Sequence, residues 1–421
     1  MVSGSRSVEA NRALFVARCS DEVVRRYLTR LKRLRREGFE VHVLAGAGEG
    51  IARLRDEGIV ARRIPVRHAH NAAGLLGAYF IVQAHLLEHP PLMVHAFGHR
   101  VAWLSTFAAR RAQVPATFVS FDYHWLEEDP LHLPLGPLAL LGVPDVVEQA
   151  ESQANRVLGR VYRRSMHRAY RWLADEVDRY VVTTEFDFRL LQDMEVVAPE
   201  KLEIAVGGAG VDFGEYELEE KGEPDRRQGR RKLNLPEHWR QVVGWVGPVT
   251  RRHGADDLVE AITKLRRTHP SVGWLVVGRG QIAGGQARRL RGLERRGFVR
   301  FIESETARAD YYRAMDVLAW LGRASTPHDA IGEAAALAVP TVGYDTPGAR
   351  MRIENGQTGH LLYEGEKDSV VALIGRVLDD PRHLSDMGWR ARSRVHRHVS
   401  RRDSDEQMLR LYDRVLEQKM G

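Results

Sequence analysis

The amino-acid sequence predicts an α/β fold of two doubly wound parallel-sheet domains facing across a cleft, and three observations carry that prediction. A chain of 421 residues exceeds one ordinary core and suits two domains of about 200 residues each. Short apolar runs of strand length alternate with amphipathic helical stretches in both halves, which is the rhythm of parallel sheets with crossover helices. Between them, from Phe213 to Trp239, the composition turns to charge, Gly and Pro (FGEYELEEKGEPDRRQGRRKLNLPEHW), as a linker does. The boundaries that follow are a flexible N-terminus over 1–12, a first domain over 13–212, a linker over 213–240, a second domain over 241–400, and a C-terminal helix over 401–421 with a path back to the first domain.

In the first half the strand candidates are Ala13–Ala17, Val41–Ala45, Ala61–Val66, Leu92–Phe97, Ala116–Asp122, Arg179–Thr184 and Leu202–Val206, each rich in β-branched or apolar residues. The first helix, Asp21–Arg36, closes at Gly38 in the manner of a C′ residue. Between Asp122 and Glu151 the alternation breaks into a Pro- and Leu-rich insert, suited either to a hydrophobic acceptor or to covering the core.

In the second half the pattern resumes with strand Gln241–Val246, helix Ala255–Arg267, strand Gly273–Val277, helix Gln286–Arg296 and strand Val299–Ile302. Leu258, Ala261, Ile262 and Leu265 give the first of these helices a buried stripe. The densest stretch runs from Ala314 to Arg350. Asp316–Trp320 reads as a strand, turn and cap residues follow to Asp329, a helix opens near Pro327, and Pro340 stops it before strand Thr341–Tyr344. A loop leaving the carboxyl end of a parallel strand into a helix N-terminus is where anionic ligands settle. Glu333 is a carboxylate in the early turns of that helix. It suits either the hydroxyls of a ribose or the offsetting of the helix dipole. Helix Ser369–Asp380 ends at Pro381, and the amphipathic run Ser404–Lys419 closes the chain.

Composition narrows the class. With 43% hydrophobic and 28% charged residues the chain is globular. The single cysteine, Cys19, excludes an internal disulfide and fits a reducing cytoplasm. No stretch approaches the roughly 20 apolar residues of a membrane span, so a cytoplasmic protein, soluble or peripheral at the inner membrane face, is expected. The net charge of +7 points to an anionic partner. Two segments concentrate arginine, Asp21–Arg36 and Arg156–Arg171, each readable as a helix on an anionic membrane or as a solvated outer face. No nucleic-acid-binding module accompanies them.

The order of pieces in the second half, GWVGPVTRRHGADDLVEAI, then LVVGRG, then VRFIESETARADYYRAMDVLAWLGRASTPHDAIGEAAALAVPTVGYDTPGARMRIENGQTGHLL, resembles the nucleotide-sugar domain of glycosyltransferase family four. The first half agrees more loosely through LTRLKRLRREGFEVHVLAG, LMVHAFGHRVAWLSTFAARRAQVPATFVSFD, ADEVDRYVVTT and EIAVGGAGVDF. The resemblance implies a GT-B fold and retaining, metal-independent transfer of a hexosyl group from a nucleoside diphosphate sugar to a glycan, lipid-linked or small-molecule acceptor, with no cofactor.

Carried over by position, the resemblance assigns Glu333 to the ribose and the backbone at Ile302 and Glu303 to the base. It assigns Gly247, Arg251, Arg252, His253 and Gly278 to the nucleotide and diphosphate. Three departures stand out. Pro248 and His253 occupy the family's diphosphate-binding Arg and Lys, a site that wants fixed positive charge, which Arg251 and Arg252 can supply. Ser325 replaces the first of two glutamates, leaving Asp329 as the nearby carboxylate, and His328 stands where a glycine is usual. The family's acceptor-side histidine at the end of the Ala116–Asp122 strand is absent, which leaves Asp122 as catalytic candidate and His95 and His124 on the acceptor side. These losses also fit a GT-B chain that no longer transfers sugar and serves as a binding or scaffolding subunit.

Overall fold

Thirteen parallel strands in two sheets organise the computed structural model, which describes residues 11–66, 72–121, 171–205, 210–216, 218, 225–247, 249, 253–278, 284–304, 309–322 and 329–421. The chain divides into two compact units, Met1–Ala205 with Asp405–Gly421, and Val206–Ser404.

The first unit runs β1 (Arg12–Ala17), α1 (Ser20–Arg36), β2 (Glu40–Ala45), α2 (Gly50–Asp56), β3 (Val60–Arg63), α3 (Ala72–Glu88), β4 (Met93–Phe97), α4 (His99–Arg111), β5 (Ala116–Phe121), β6 (Arg179–Val182), α5 (Glu185–Asp193) and β7 (Leu202–Ile204). Its sheet order is β3-β2-β1-β4-β5-β6-β7. The order reverses between β1 and β4, the switch at which such sheets leave a crevice beyond their carboxyl ends. Strand β1 is apolar from Ala13 to Ala17 and buried over that run, as a central strand covered on both faces must be. Helix α1 stops because Gly38 takes φ +94°, which lets the Phe39 N–H reach back to the Leu34 carbonyl at 3.0 Å. Cys19 is the N-cap residue of α1 and is half-buried.

The second unit runs α6 (Arg226–Lys232), β8 (Gln241–Val246), α7 (Ala255–Thr268), β9 (Val272–Val277), α8 (Gly284–Arg295), β10 (Val299–Ile302), α9 (Ala309–Arg313), β11 (Val317–Trp320), α10 (Asp329–Ala336), β12 (Thr341–Tyr344), α11 (Pro347–Arg352), β13 (Gly359–Leu362), α12 (Lys367–Asp379) and α13 (Pro381–His398). The sheet order β10-β9-β8-β11-β12-β13 reverses between β8 and β11. Leu258, Ala261, Ile262 and Leu265 of α7 are buried against it, and each large apolar side chain so buried contributes roughly 1.5–3 kcal/mol. Helix α14 (Arg401–Met420) packs in the first unit from Asp405 onward.

Four expectations need correction. Helix α10 ends at Ala336 rather than at Pro340. Ala338 takes φ +53° and the Val339 N–H returns to the Ala334 carbonyl, so a left-handed cap ends the helix before proline can. Pro381 opens a helix as well as closing one. It sits in the first turn of α13, where its missing N–H costs nothing, and Asp380 caps that turn through the His383 N–H at 3.0 Å. Residues 213–240 are more than a linker, since they include α6 and bury Tyr216, Leu235 and Trp239. The arginines of α1 do not form one outward band, because Arg26 and Arg30 are buried. The helix Arg156–Arg171 and the insert after Asp122 lie outside the described residues, apart from Arg171.

The amino end of the first sheet holds three histidines whose rings meet edge-on or tilted. His42 Nδ1 lies 2.7 Å from His85 Nε2, His42 Nε2 lies 2.9 Å from Glu40 Oε1, and the His89 ring packs on both. Burial, with His42, His89, Arg62 and Arg12 nearby, lowers the His85 pKa to about 4. A base held neutral in the fold contributes full stability above its unfolded pKa, near 6.5, and the stability is lost as pH falls from there toward 4. Denaturant titrations at pH 7.5 and pH 5 should therefore differ by about 2 kcal/mol through His85 alone. His85→Gln should flatten that slope, and an unchanged slope would contradict the assignment.

Candidate functional site

The carboxyl ends of the central strands of the second sheet are drawn together by glycine. A Cβ at Gly278, just past β9, would stand 1.8 Å from the Gly247 carbonyl oxygen, and one at Gly254 would stand 1.9 Å from the Leu321 carbonyl oxygen. Gly254 also takes φ +82°. The loops after β8 and β9, and those after β8 and β11, thus touch backbone to backbone, which side chains would prevent. The Gly247 N–H donates to Val277 and the Gly278 N–H donates to Ile302, both at 3.0 Å. The edge around the β8/β11 switch is thereby a fixed backbone surface.

Glu333 lies on α10, which leaves β11 at that switch. Its Oε2 accepts a hydrogen bond from the Tyr312 hydroxyl at 2.6 Å, and the Tyr216 hydroxyl also bonds its carboxylate. Both tyrosines are buried, whereas Glu333 is half-buried. Burial, and then the Glu333 charge, push the Tyr216 pKa up, so Tyr216 remains a protonated donor. The two tyrosines orient the carboxylate. The far end of α10 is held too. Arg392 donates to the Ala336 carbonyl, and Arg226 donates to the Ala338 carbonyl at 3.0 Å, placing cations at the negative end of the helix dipole.

The other positions divide. Gly247 and Gly278 meet at the edge as described, and His253 lies half-buried in the turn before α7. The Ile302 carbonyl is occupied by the Gly278 N–H, so exposed chain begins at Glu303. Asp329 is half-buried in the first turn of α10. The first turn of α7 already carries Asp256 and Asp257, and Asp257 is buried against the Tyr344 hydroxyl and Lys367, each at 2.9 Å. A phosphate beside that turn would therefore depend on basic side chains more than on the helix dipole. Asp122, His124, Arg251, Arg252 and Ser325 lie outside the described residues.

His95 departs from its expected acceptor-side place. It is 0% exposed, with Nδ1 at 2.6 Å from the Tyr412 hydroxyl and Nε2 at 2.8 Å from the Ser120 hydroxyl. Alternation along β4 turns it into the packed face, where its ring meets Phe97, Phe118 and Tyr412. Among the described residues no group of three or more His, Cys, Asp or Glu is placed to hold a metal ion. No described helix is long and apolar enough to cross a membrane.

Sequence reasoning missed Tyr312, Tyr216 and Ser120. Tyr312 carried a signal in ADYYRAMD, a short helix just before the strand that leads to Glu333. Tyr216 carried none, being one of three aromatics, with Phe213 and Trp239, scattered through a charged stretch.

Comparison with known proteins fits this architecture. Residues 240–380 match the family described as Glycosyl transferases group 1, and residues 23–207 match the Glycosyl transferase 4-like domain. The GDP-mannose-dependent alpha-(1-6)-phosphatidylinositol monomannoside mannosyltransferase of Mycolicibacterium smegmatis is 30% identical over 177 residues, 39% of this chain and 46% of that protein. The D-inositol 3-phosphate glycosyltransferase of Corynebacterium aurimucosum is 28% identical over 229 residues, 51% of this chain and 52% of that protein. The chain thus spans about half the length of the curated relatives it matches. Anabaena HepE, crystallised with UDP and glucose, superposes with a TM-score of 0.70 over 96% of this chain and 99% of that one, at 16% identity. The fold is GT-B, and both halves of the chain carry glycosyltransferase domains.

Proposed function

We propose that the protein transfers a hexosyl group from a nucleoside diphosphate sugar to a hydroxyl of a glycan, lipid-linked or small-molecule acceptor, with retention of anomeric configuration, without a metal ion, and in the cytoplasm. The observation that carries this reading is Glu333, a carboxylate oriented by Tyr312 at 2.6 Å beside the β8/β11 switch, within the stretch that matches glycosyl transferases group 1. A carboxylate held in this way suits the hydroxyls of a ribose. Exposed chain from Glu303 suits the base, and Gly247, Gly278 and His253, with Arg251 and Arg252, suit the diphosphate. On this reading Ser325 and Asp329 are assigned to the donor sugar, and Asp122 and His124 to the acceptor. As the anomeric bond breaks, charge builds on the leaving diphosphate, and fixed cations there lower the barrier. The GDP-mannose named for one relative supports a nucleotide-bound hexose as donor.

A second reading, a binding or scaffolding subunit without transfer activity, is favoured by Pro248, His253 and Ser325, which replace the charged residues of the resembling family. The two readings part in one experiment. The full chain is incubated with UDP-, GDP-, ADP- and TDP-sugars and crude acceptor extract, and the products are read by mass spectrometry. A hexosyl mass gain with release of nucleoside diphosphate supports the transferase. No product and no thermal shift with any donor supports the scaffold.

A further inference from the structure

The polar chain buried in the first unit has a direction, and that direction fixes what Ser120 can do. His95 is 0% and Tyr412 of α14 is 1% exposed. The Tyr412 hydroxyl lies 2.6 Å from His95 Nδ1, and the Ser120 hydroxyl lies 2.8 Å from His95 Nε2. At the other end the Arg30 guanidinium, paired with Asp405 at 2.8 Å, also hydrogen-bonds the Tyr412 hydroxyl.

Proton bookkeeping follows from the groups themselves. Arginine only donates, so the Tyr412 oxygen accepts from Arg30. Tyrosine has one proton, and its partner here is His95 Nδ1; leaving that proton unpaired in the interior is disfavoured. Nδ1 therefore accepts. The ring is neutral, since burial and the Arg30 cation hold its pKa well below the ordinary histidine range. A neutral imidazole whose Nδ1 accepts carries its hydrogen on Nε2, and Nε2 donates to Ser120 Oγ. The Ser120 hydrogen must then point away from the ring. Ser120 is half-buried near the carboxyl end of β5, and its carbonyl is tied to the Gly98 N–H at 2.9 Å.

We propose that Ser120 is a ligand-positioning residue of the first domain, whose hydroxyl hydrogen, turned away from the His95 ring by the Arg30–Tyr412–His95 chain, is donated in a hydrogen bond to a hydroxyl oxygen of the acceptor. The proposal rests on the transferase reading above and deepens it on the acceptor side. The same chain excludes His95 as the general base, because one ring nitrogen already holds a proton and the other is occupied. No proton passes along the chain during transfer; its part is orientation.

Two measurements on the full chain test this. Nitrogen-15 NMR of the histidine rings should find His95 in the Nε2–H form. An Nδ1–H form or an imidazolium overturns the proposal, whether or not sugar is transferred. In transfer assays Ser120→Ala should raise the acceptor KM about tenfold, with kcat and donor KM changed by less than about twofold. Ser120→Thr, which keeps the hydroxyl, should restore the acceptor KM. An unchanged acceptor KM in Ser120→Ala, with wild-type transfer intact, overturns the proposal alone. A wild-type protein that transfers sugar to no acceptor overturns it together with the transferase reading.

Discussion

Glu333→Ala is expected to lower affinity for the donor nucleotide about a hundredfold, the loss that follows from removing two hydrogen bonds to a charged acceptor. The same change strips Tyr312 and Tyr216 of their shared partner. Tyr312 is 0% exposed, so losing the bond between its buried hydroxyl and Glu333 should cost about 1–3 kcal/mol. Glu333→Gln separates the two effects. Its amide oxygen still accepts from Tyr312, which preserves stability, but the site loses the charge that holds the ribose. Calorimetric titration with the donor, beside thermal unfolding of both variants, reads each effect. Donor affinity within about twofold of wild type in Glu333→Ala would remove the ribose assignment.

Asp405→Ala is expected to destabilise the first unit by about 3–5 kcal/mol, since removing one partner of a buried ion pair strands the other. Arg30 and Asp405 are both 2% exposed and meet at 2.8 Å. Arg30 also lies against the Tyr27 ring at 5.3 Å, and Tyr27 stacks on Phe97 at 3.9 Å, so a stranded guanidinium disturbs packing as well as charge. The pair need not be favourable against an apolar substitute. Arg30→Met combined with Asp405→Leu should recover most of the loss. Denaturant titration of the single and double variants decides it. A loss below about 1 kcal/mol in Asp405→Ala would mean that water already reaches Arg30.

Much of the fold was legible because parallel strands covered on both faces must be apolar along their length. Gln241–Val246, Val299–Ile302 and Thr341–Tyr344 were bounded to the residue. Helix ends were harder. Pro340 and Pro381 are both strong stop signals, yet α10 had already ended at a left-handed alanine, and the second proline begins a helix. Nothing local distinguishes a proline that ends one helix from a proline that opens the next. Glu333 was legible because strand, cap and helix set its frame within one short stretch. Its partners were not, because burial of Tyr216 is decided by the fold around it. The interior of the first unit was hidden for the same reason: Arg30 and Asp405 lie 375 positions apart, and an arginine among five others on α1 reads as surface. His95 was singled out for its residue type, while the pleat that buries it also brings Ser120 to its other side.

The claim on which the rest turns is that a nucleoside diphosphate sugar docks at the carboxyl edge of the second sheet, beside Glu333. Photo-crosslinking of the full chain with azido-substituted nucleoside diphosphate sugars, followed by peptide mapping with unlabelled donor as competitor, tests it most directly. Competed label on peptides covering 247–254, 278–304 or 321–333 is the predicted result. Competed label confined to the first unit, or no competed label with any donor, would contradict it.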